Sequence, residues 1–198
     1  MTTIRQPFEF ENWYHVFNHA RGNDNIFDSE KEYQLFLKLT LKYIGNIAQI
    51  YAYCLMPNHF HFLVQIKEFA LPPKFTSKHE TDYISHQWGT LQNTYTKKKN
   101  YRTGKRGGIF CQSINRNLIT SEEYLQKAIV YIHNNPVRHG FCTTPGNWRF
   151  SSFNAIISTG DTNIERDEVL SWFENRENFI QYHQSNADDY LAEKFGLK

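Results

Sequence analysis

The stretch Ile47-Ala48-Gln49-Ile50-Tyr51-Ala52-Tyr53-Cys54-Leu55-Met56-Pro57-Asn58-His59-Phe60-His61-Phe62-Leu63-Val64-Gln65-Ile66 decides the fold. Up to Met56 it alternates Ile50, Ala52, Cys54 and Met56 on one side with Tyr51, Tyr53 and Leu55 on the other, a strand covered on both faces. Pro57 breaks the run. His59 to Ile66 is a second β-rich run, too short for a good helix. Two such runs separated by Pro-Asn predict adjacent antiparallel strands.

Outward from this hairpin, Trp13 to His19 reads as a first strand and Arg21-Gly22-Asn23-Asp24-Asn25 as a turn. Ser29-Glu30-Lys31-Glu32 is a capping box, followed at helical spacing by Tyr33, Phe36, Leu37, Thr40, Leu41 and Ile44 until Gly45. On the other side, past Leu71-Pro72-Pro73, Ile84, Trp88, Leu91 and Tyr95 form the apolar stripe of a helix. Ile109 to Ile114 is expected as a strand. A second capping box, Thr120-Ser121-Glu122-Glu123, starts a helix with Leu125, Ala128, Ile129 and Ile132 buried, which Pro136 should end. A further helix is expected around Val169 to Phe173. The order β-α-β-β-α-β-α argues for an α+β domain built on an antiparallel sheet. The division expected is 1–159 as that domain and 160–198 as an acidic, partly helical extension.

The 198 residues, 40% of them hydrophobic and 16% aromatic, are enough for one core and exclude a disordered or fibrous chain. Cys54, Cys111 and Cys142 form no CxxC pair, which excludes a disulfide framework or zinc knuckle and suits a reducing cytoplasm. Met1 to Glu11 holds no stretch of signal-peptide character, and no window reaches the about 18 apolar residues of a membrane span, so no membrane partner is expected. Net charge is only +2, but residues 160–198 carry nine acids against four bases. The rest is therefore basic, and Lys97, Lys98, Lys99, Arg102, Lys105 and Arg106 fall in ten residues. Such a run is the footprint of phosphate-backbone contact, or else a solvated loop. Tyr95 and Tyr101 beside it either stack on bases or pack the helix on the core.

Two constellations can carry chemistry. His59 and His61, two apart in a strand, present both imidazoles on one face, where they can converge on a divalent ion. By spacing alone the commoner meaning of such a pair is two half-buried strand histidines. Tyr131 and Asn135, at i and i+4, share one face of their helix. A tyrosine can serve as a covalent nucleophile if a metal or base offsets its ordinary pKa of about 10, and an amide oxygen can complete a metal site. Alone, Tyr131 is far more commonly a partly buried helix tyrosine.

Together the segments resemble a known family. Tyr53-Cys54-Leu55-Met56-Pro57-Asn58-His59-Phe60-His61-Phe62-Leu63-Val64, followed by Tyr131-Ile132-His133-Asn134-Asn135-Pro136-Val137-Arg138-His139-Gly140, is similar to the signatures of the single-tyrosine HUH transposases. The nearest branch is the REP-associated tyrosine transposases, relatives of small insertion-sequence transposases. Tyr14-His15-Val16, Ile26-Phe27 and Trp148-Arg149-Phe150-Ser151-Ser152 add to the likeness, which spans residues 12 to 155. Phe110-Cys111-Gln112 departs from the family's usual Leu-Trp-Gln.

The resemblance implies a ferredoxin-like antiparallel sheet with the histidine strand central. It implies His59, His61 and Asn135 as ligands of Mg or Mn and Tyr131 as nucleophile. The activity implied is cleavage and rejoining of single-stranded or hairpin DNA through a 5′-phosphotyrosine, with a homodimer as an open state of assembly. Lys97, Lys98, Lys99, Arg102, Lys105, Arg106 and Arg138 are the expected DNA contacts. A domesticated hairpin-binding protein of the same fold is the alternative. No P-loop is present, Gly104-Lys105 being followed by Arg106, as suits a reaction that needs no nucleotide triphosphate.

Overall fold

In the computed structural model, which describes residues 6–73, 75, 79–111 and 113–185, the hairpin at Pro57-Asn58 joins β2 (Ala48–Met56) to β3 (His59–Ile66). β1 (Trp13–His19) lies on the far side of β3, and β4 (Asn115–Ile119) pairs with the outer edge of β1. All neighbours are antiparallel, in the order β2-β3-β1-β4. With α1 (Glu30–Tyr43) between β1 and β2, and α2 (Glu80–Thr103) between β3 and β4, this is the ferredoxin-like arrangement, with the histidine strand in the interior. β3 is reached by hydrogen bonds from both sides, so its backbone groups are satisfied and its side chains are held in a fixed register.

The two faces of the sheet carry different chemistry. Phe60, Phe62 and Val64 point to the side covered by α1 and α2, where Phe60 meets Phe36 (5.0 Å between ring centroids) and Phe62 meets Trp88 (5.7 Å). The alternate residues, His59 and His61, point to the other side with Phe17 and His19, their cross-strand partners. There α3 (Glu122–Arg138) lies across β2 and β3. After the short helix α4 (Phe153–Ile157) come α5 (Arg166–Trp172) and α6 (Arg176–Ser185). Val169, Phe173 and Phe179 bury their side chains in the main core, which ties α5, α6 and the turn between them to the fold. The remainder of the acidic tail, 186–198, and Gln112 lie outside the described residues. No helix among the described residues is long and apolar enough to cross a membrane.

Several local expectations are corrected. The alternation of β2 is interrupted: Ile50 pairs with Val64 but Ala52 with Leu63, leaving Tyr51 as the extra residue of a bulge. Ile50 therefore faces α1 and α2, while Ala52, Cys54 and Met56 share the histidine face. The fourth strand is Asn115–Ile119, not Ile109–Ile114, where among the described residues the only strand-like feature is a bridge from Phe110 to Ala20. Ser29 makes no side-chain cap at α1; Glu32 instead turns inward and accepts from the Asp28 backbone N–H. Ser121 does cap α3, accepting from the Tyr124 N–H at 3.2 Å. Pro136 does not end α3, which continues to Arg138. Its missing N–H costs one helical bond near the terminus, where the His139 N–H still reaches the Asn135 carbonyl at 3.1 Å.

Candidate active site

Two rigid elements bring the four residues together. The strand period puts His59 and His61 on the face below α3, and the i, i+4 spacing puts Tyr131 and Asn135 on the face of α3 above them. Because the helix runs on through Pro136, Asn135 keeps a helical orientation and points at the histidines. Its Oδ1 lies 2.7 Å from His59 Nε2 and its Nδ2 lies 3.4 Å from His61 Nε2. The Tyr131 ring stands edge-on over His61, with centroids 5.5 Å apart, and the Arg138 guanidinium lies 5.2 Å from the centre of that ring. His61, Tyr131 and Asn135 are buried; His59 is half-buried and packs beside His139 at the rim, 5.1 Å between centroids.

Burial sets the charge states. Desolvation pushes His59 down to about 4 against a favourable contact with Asn135, and holds His61 well below the ordinary histidine value, with neighbouring His15 and His59 adding to the effect. Both imidazoles are therefore neutral at pH 7. The Tyr131 phenol is pushed up to about 12 by desolvation, an effect that Arg138 and Asn135 only partly offset. Tyr131 is thus a poor nucleophile unless positive charge is brought to it.

The donor set fits a divalent ion on a simple conflict. His59 Nδ1 is 2.8 Å from the Asn58 side-chain oxygen and Nε2 is 2.7 Å from Asn135 Oδ1, so a neutral ring with a single N–H leaves one of two oxygens facing a lone pair; with the proton toward Asn58 that oxygen is Asn135 Oδ1. Two acceptors then face each other at hydrogen-bond distance, which a cation between them relieves. His61 Nε2 points into the same space. Two imidazole nitrogens and one amide oxygen make a mixed nitrogen and oxygen donor set of the kind a divalent ion takes, with further coordination positions left open. Among the described residues no group of three His, Cys, Asp or Glu side chains is placed to hold a metal; here the third donor is an amide.

The basic run divides into two sets. Lys97, Lys98, Lys105 and Arg106 are exposed, as expected of surface contacts. Lys99 is only 6% exposed and is corrected to an internal residue: its ammonium donates to the carbonyls of Asn25 (3.0 Å) and Ile26 (2.8 Å) and pairs with Asp28 (2.8 Å) and the buried Glu32 (3.5 Å). Arg102 is committed to Glu32 as well, though its outer part is exposed. Tyr95 is buried, its hydroxyl donating to the Ile26 carbonyl at 2.6 Å, whereas Tyr101 is 93% exposed. The exposed bases lie across the sheet from Tyr131 but at the same end as His59. The Ile26 N–H reaches the Pro57 carbonyl in the hairpin turn, and Lys99 holds the Ile26 carbonyl.

Sequence reasoning left His15 without a role. It is fully buried beneath Tyr131, with Nε2 2.9 Å from His61 Nδ1. Its signal was the strand period, which sets His15, Phe17 and His19 on one face of β1. His133 lies on a different side of α3, bonded to His183 (2.9 Å) and Ser152 (2.8 Å), all three buried.

A strand carrying His-hydrophobe-His under a helix carrying Tyr and Asn, on a ferredoxin-like sheet, defines the class resembled: single-tyrosine HUH proteins. Comparison with known proteins agrees. No family model matches the chain. A curated protein of Haemophilus influenzae (strain ATCC 51907 / DSM 11121 / KW20 / Rd), named as a REP-associated tyrosine transposase, is 26% identical over 115 residues. That match covers 54% of this chain and 59% of the relative, so it spans about three-fifths of the relative's length. A solved structure described as a REP-associated tyrosine transposase bound to a REP hairpin superposes with a TM-score of 0.61 at 18% identity. It covers 81% of this chain and 87% of its own. The chain therefore resembles the REP-associated tyrosine transposases in sequence and shares their fold.

Proposed function

We propose that the protein cleaves and rejoins single-stranded or hairpin DNA through a covalent bond to Tyr131. The observation that carries this reading is the convergence of His59 Nε2, His61 Nε2 and Asn135 Oδ1 beside the Tyr131 ring. A divalent ion, Mg or Mn, held by those three atoms would supply positive charge to a scissile phosphate and to an attacking phenol. Tyr131 Oη forms a bond to phosphorus, and the bond from phosphorus to the 3′ oxygen breaks. The phenolic proton leaves, and the departing 3′ oxygen ends as a hydroxyl. The 5′-phosphotyrosine conserves the energy of the phosphodiester, so attack by a 3′-hydroxyl reverses the step without a nucleotide triphosphate.

The rest of the chain prepares this step. Arg138 lies against the nucleophile and opposes its high pKa. Burial of His61 and Asn135 excludes water from one side of the reacting centre. A bound strand would enter past half-buried His59 and exposed His139, then bend around the hairpin end of the sheet to Lys97, Lys98, Lys105 and Arg106. Tyr101 offers a stacking surface on that path. The curated relative's name and the neighbour's bound REP hairpin support DNA as the substrate class.

The test is incubation of the protein with a labelled hairpin oligonucleotide and Mn, followed by denaturing electrophoresis. A protein-linked DNA band is expected, and Tyr131→Phe should abolish it while hairpin affinity stays within a few-fold. Persistence of the adduct in Tyr131→Phe would assign the nucleophile to another residue. Tight hairpin binding with no adduct in the unaltered protein would favour a binding protein of the same fold.

A further inference from the structure

His15 and His61 face each other nitrogen to nitrogen at 2.9 Å, His15 Nε2 against His61 Nδ1, their rings edge to edge with 23° between their planes and centroids 5.1 Å apart. On its other side His15 stacks on Phe17, 5.0 Å between centroids, and Tyr131 stands edge-on over it at 5.8 Å. Both imidazoles are essentially without solvent access. Two neutral rings at this distance share one hydrogen, so one donates and the other accepts. The choice has a consequence at the opposite end of His61. If His61 donates from Nδ1, its Nε2 carries a lone pair directed at Asn135 and His59. If it accepts at Nδ1, its proton sits on Nε2 and fills the space between those residues. The Asn135 Nδ2 amide, a donor only, lies on the Nε2 side at 3.4 Å, which agrees with a lone pair there.

We propose that His15 is a positioning residue that accepts the Nδ1 proton of His61 and thereby holds His61 in the tautomer whose Nε2 is free to bind a metal ion. Ligating histidines commonly give their second N–H to a carboxylate or carbonyl; here a neutral imidazole on the neighbouring strand takes that part. The cross-strand register makes the pairing rigid: Phe17 sits opposite His61, so His15 is one diagonal step away on the same face. The metal-binding consequence rests on the site proposed above, whereas the tautomer itself does not.

The experiment has two arms. In metal-free protein labelled with 15N-histidine, long-range proton–nitrogen correlations at pH 7.5 should show His61 protonated on Nδ1. A proton on Nε2 would overturn the proposal whatever the metal does. In the second arm, Mn is titrated into the unaltered protein, His15→Phe and His15→Gln, with urea midpoints of the metal-free proteins measured alongside. Phe keeps the ring stacking but has no acceptor, so Mn affinity should fall about 10- to 100-fold. Gln reaches the same place with an amide oxygen and should restore affinity to within about three-fold. If His15→Phe binds Mn as the unaltered protein does, the proposal fails. If the unaltered protein binds no Mn, the metal site is wrong, and the tautomer measurement still decides the role of His15. It also decides alone should His15→Phe not fold.

Discussion

Replacing Lys99 by Met distinguishes the two meanings of the basic run, because the structure makes Lys99 a bolt between α2 and the loop after β1. Its ammonium holds the Asn25 and Ile26 carbonyls and neutralises Glu32, whose carboxylate is almost fully buried. Removing one partner of a buried pair costs about 3–5 kcal/mol, since the remaining charge is left without compensation. Arg102 still reaches Glu32, which puts the expected loss near the lower end, about 3 kcal/mol. For a chain of this length that is a fall of roughly 6–12 °C in Tm. Urea titration of Lys99→Met, Glu32→Gln and the double variant gives the coupling directly, and the double variant should lose less than the sum of the two single losses. The salt dependence of hairpin binding should be unchanged by Lys99→Met. A stability loss below about 1 kcal/mol together with a salt slope shallower by about 0.7 would refute this account and return Lys99 to the DNA surface.

The exposed bases should behave in the opposite way. Changing Lys97, Lys98, Lys105 and Arg106 to Gln should leave the urea midpoint nearly unchanged and flatten the slope of log affinity against log salt by about 3, at about 0.7 per phosphate contact. His59→Ala should eliminate Mn-dependent adduct formation with little loss of stability, because the ring is half-buried at the rim; His61→Ala should also lose Mn dependence but be less stable, its ring being buried. Equal adduct yield with and without chelator would count against both. Burial holds His183 at about 4 and His15 at about 3, so the folded chain stays unprotonated there while the unfolded chain takes up protons below about 6.5. Stability should therefore fall as pH drops from about 6.5 toward 4, by up to about 1.4 kcal/mol per pH unit for each such histidine, as measured by urea unfolding. A flat profile across that window would contradict the buried, neutral assignment.

What the sequence disclosed was what short periods govern. The period of two placed His59 with His61, and the step of four placed Tyr131 with Asn135; the meeting of the two pairs needed only that α3 cover the histidine face. The same arithmetic held the answer for Lys99, four residues after Tyr95 on the stripe of Ile84, Trp88 and Leu91, but the charge of its neighbours outweighed the spacing. Non-local facts were out of reach. The bulge at Tyr51 depends on β3, and the location of β4 depends on an edge offered by β1, so polar Asn115-Arg116-Asn117 forms the strand while apolar Ile109 to Ile114 does not. His15 could be placed on a face from its own strand, but its meeting with His61 is set by cross-strand register.

Within one and a half turns α3 alternates between two tasks. Tyr131 and Asn135 look down at the histidines, while His133 and Asn134 between them are tied to His183 of α6, through its ring and its carbonyl. Rolling the helix would pull those ties apart, so in the proposed reaction a phosphate would have to come to Tyr131. The smallest piece able to carry the proposed reaction thus reaches past residue 158 into α6. A chain cut after Ser158 would keep His59, His61, Tyr131 and Asn135 yet lose the anchor that sets their bearing, and its loss of the proposed activity would look like a catalytic defect although none of those four residues had changed.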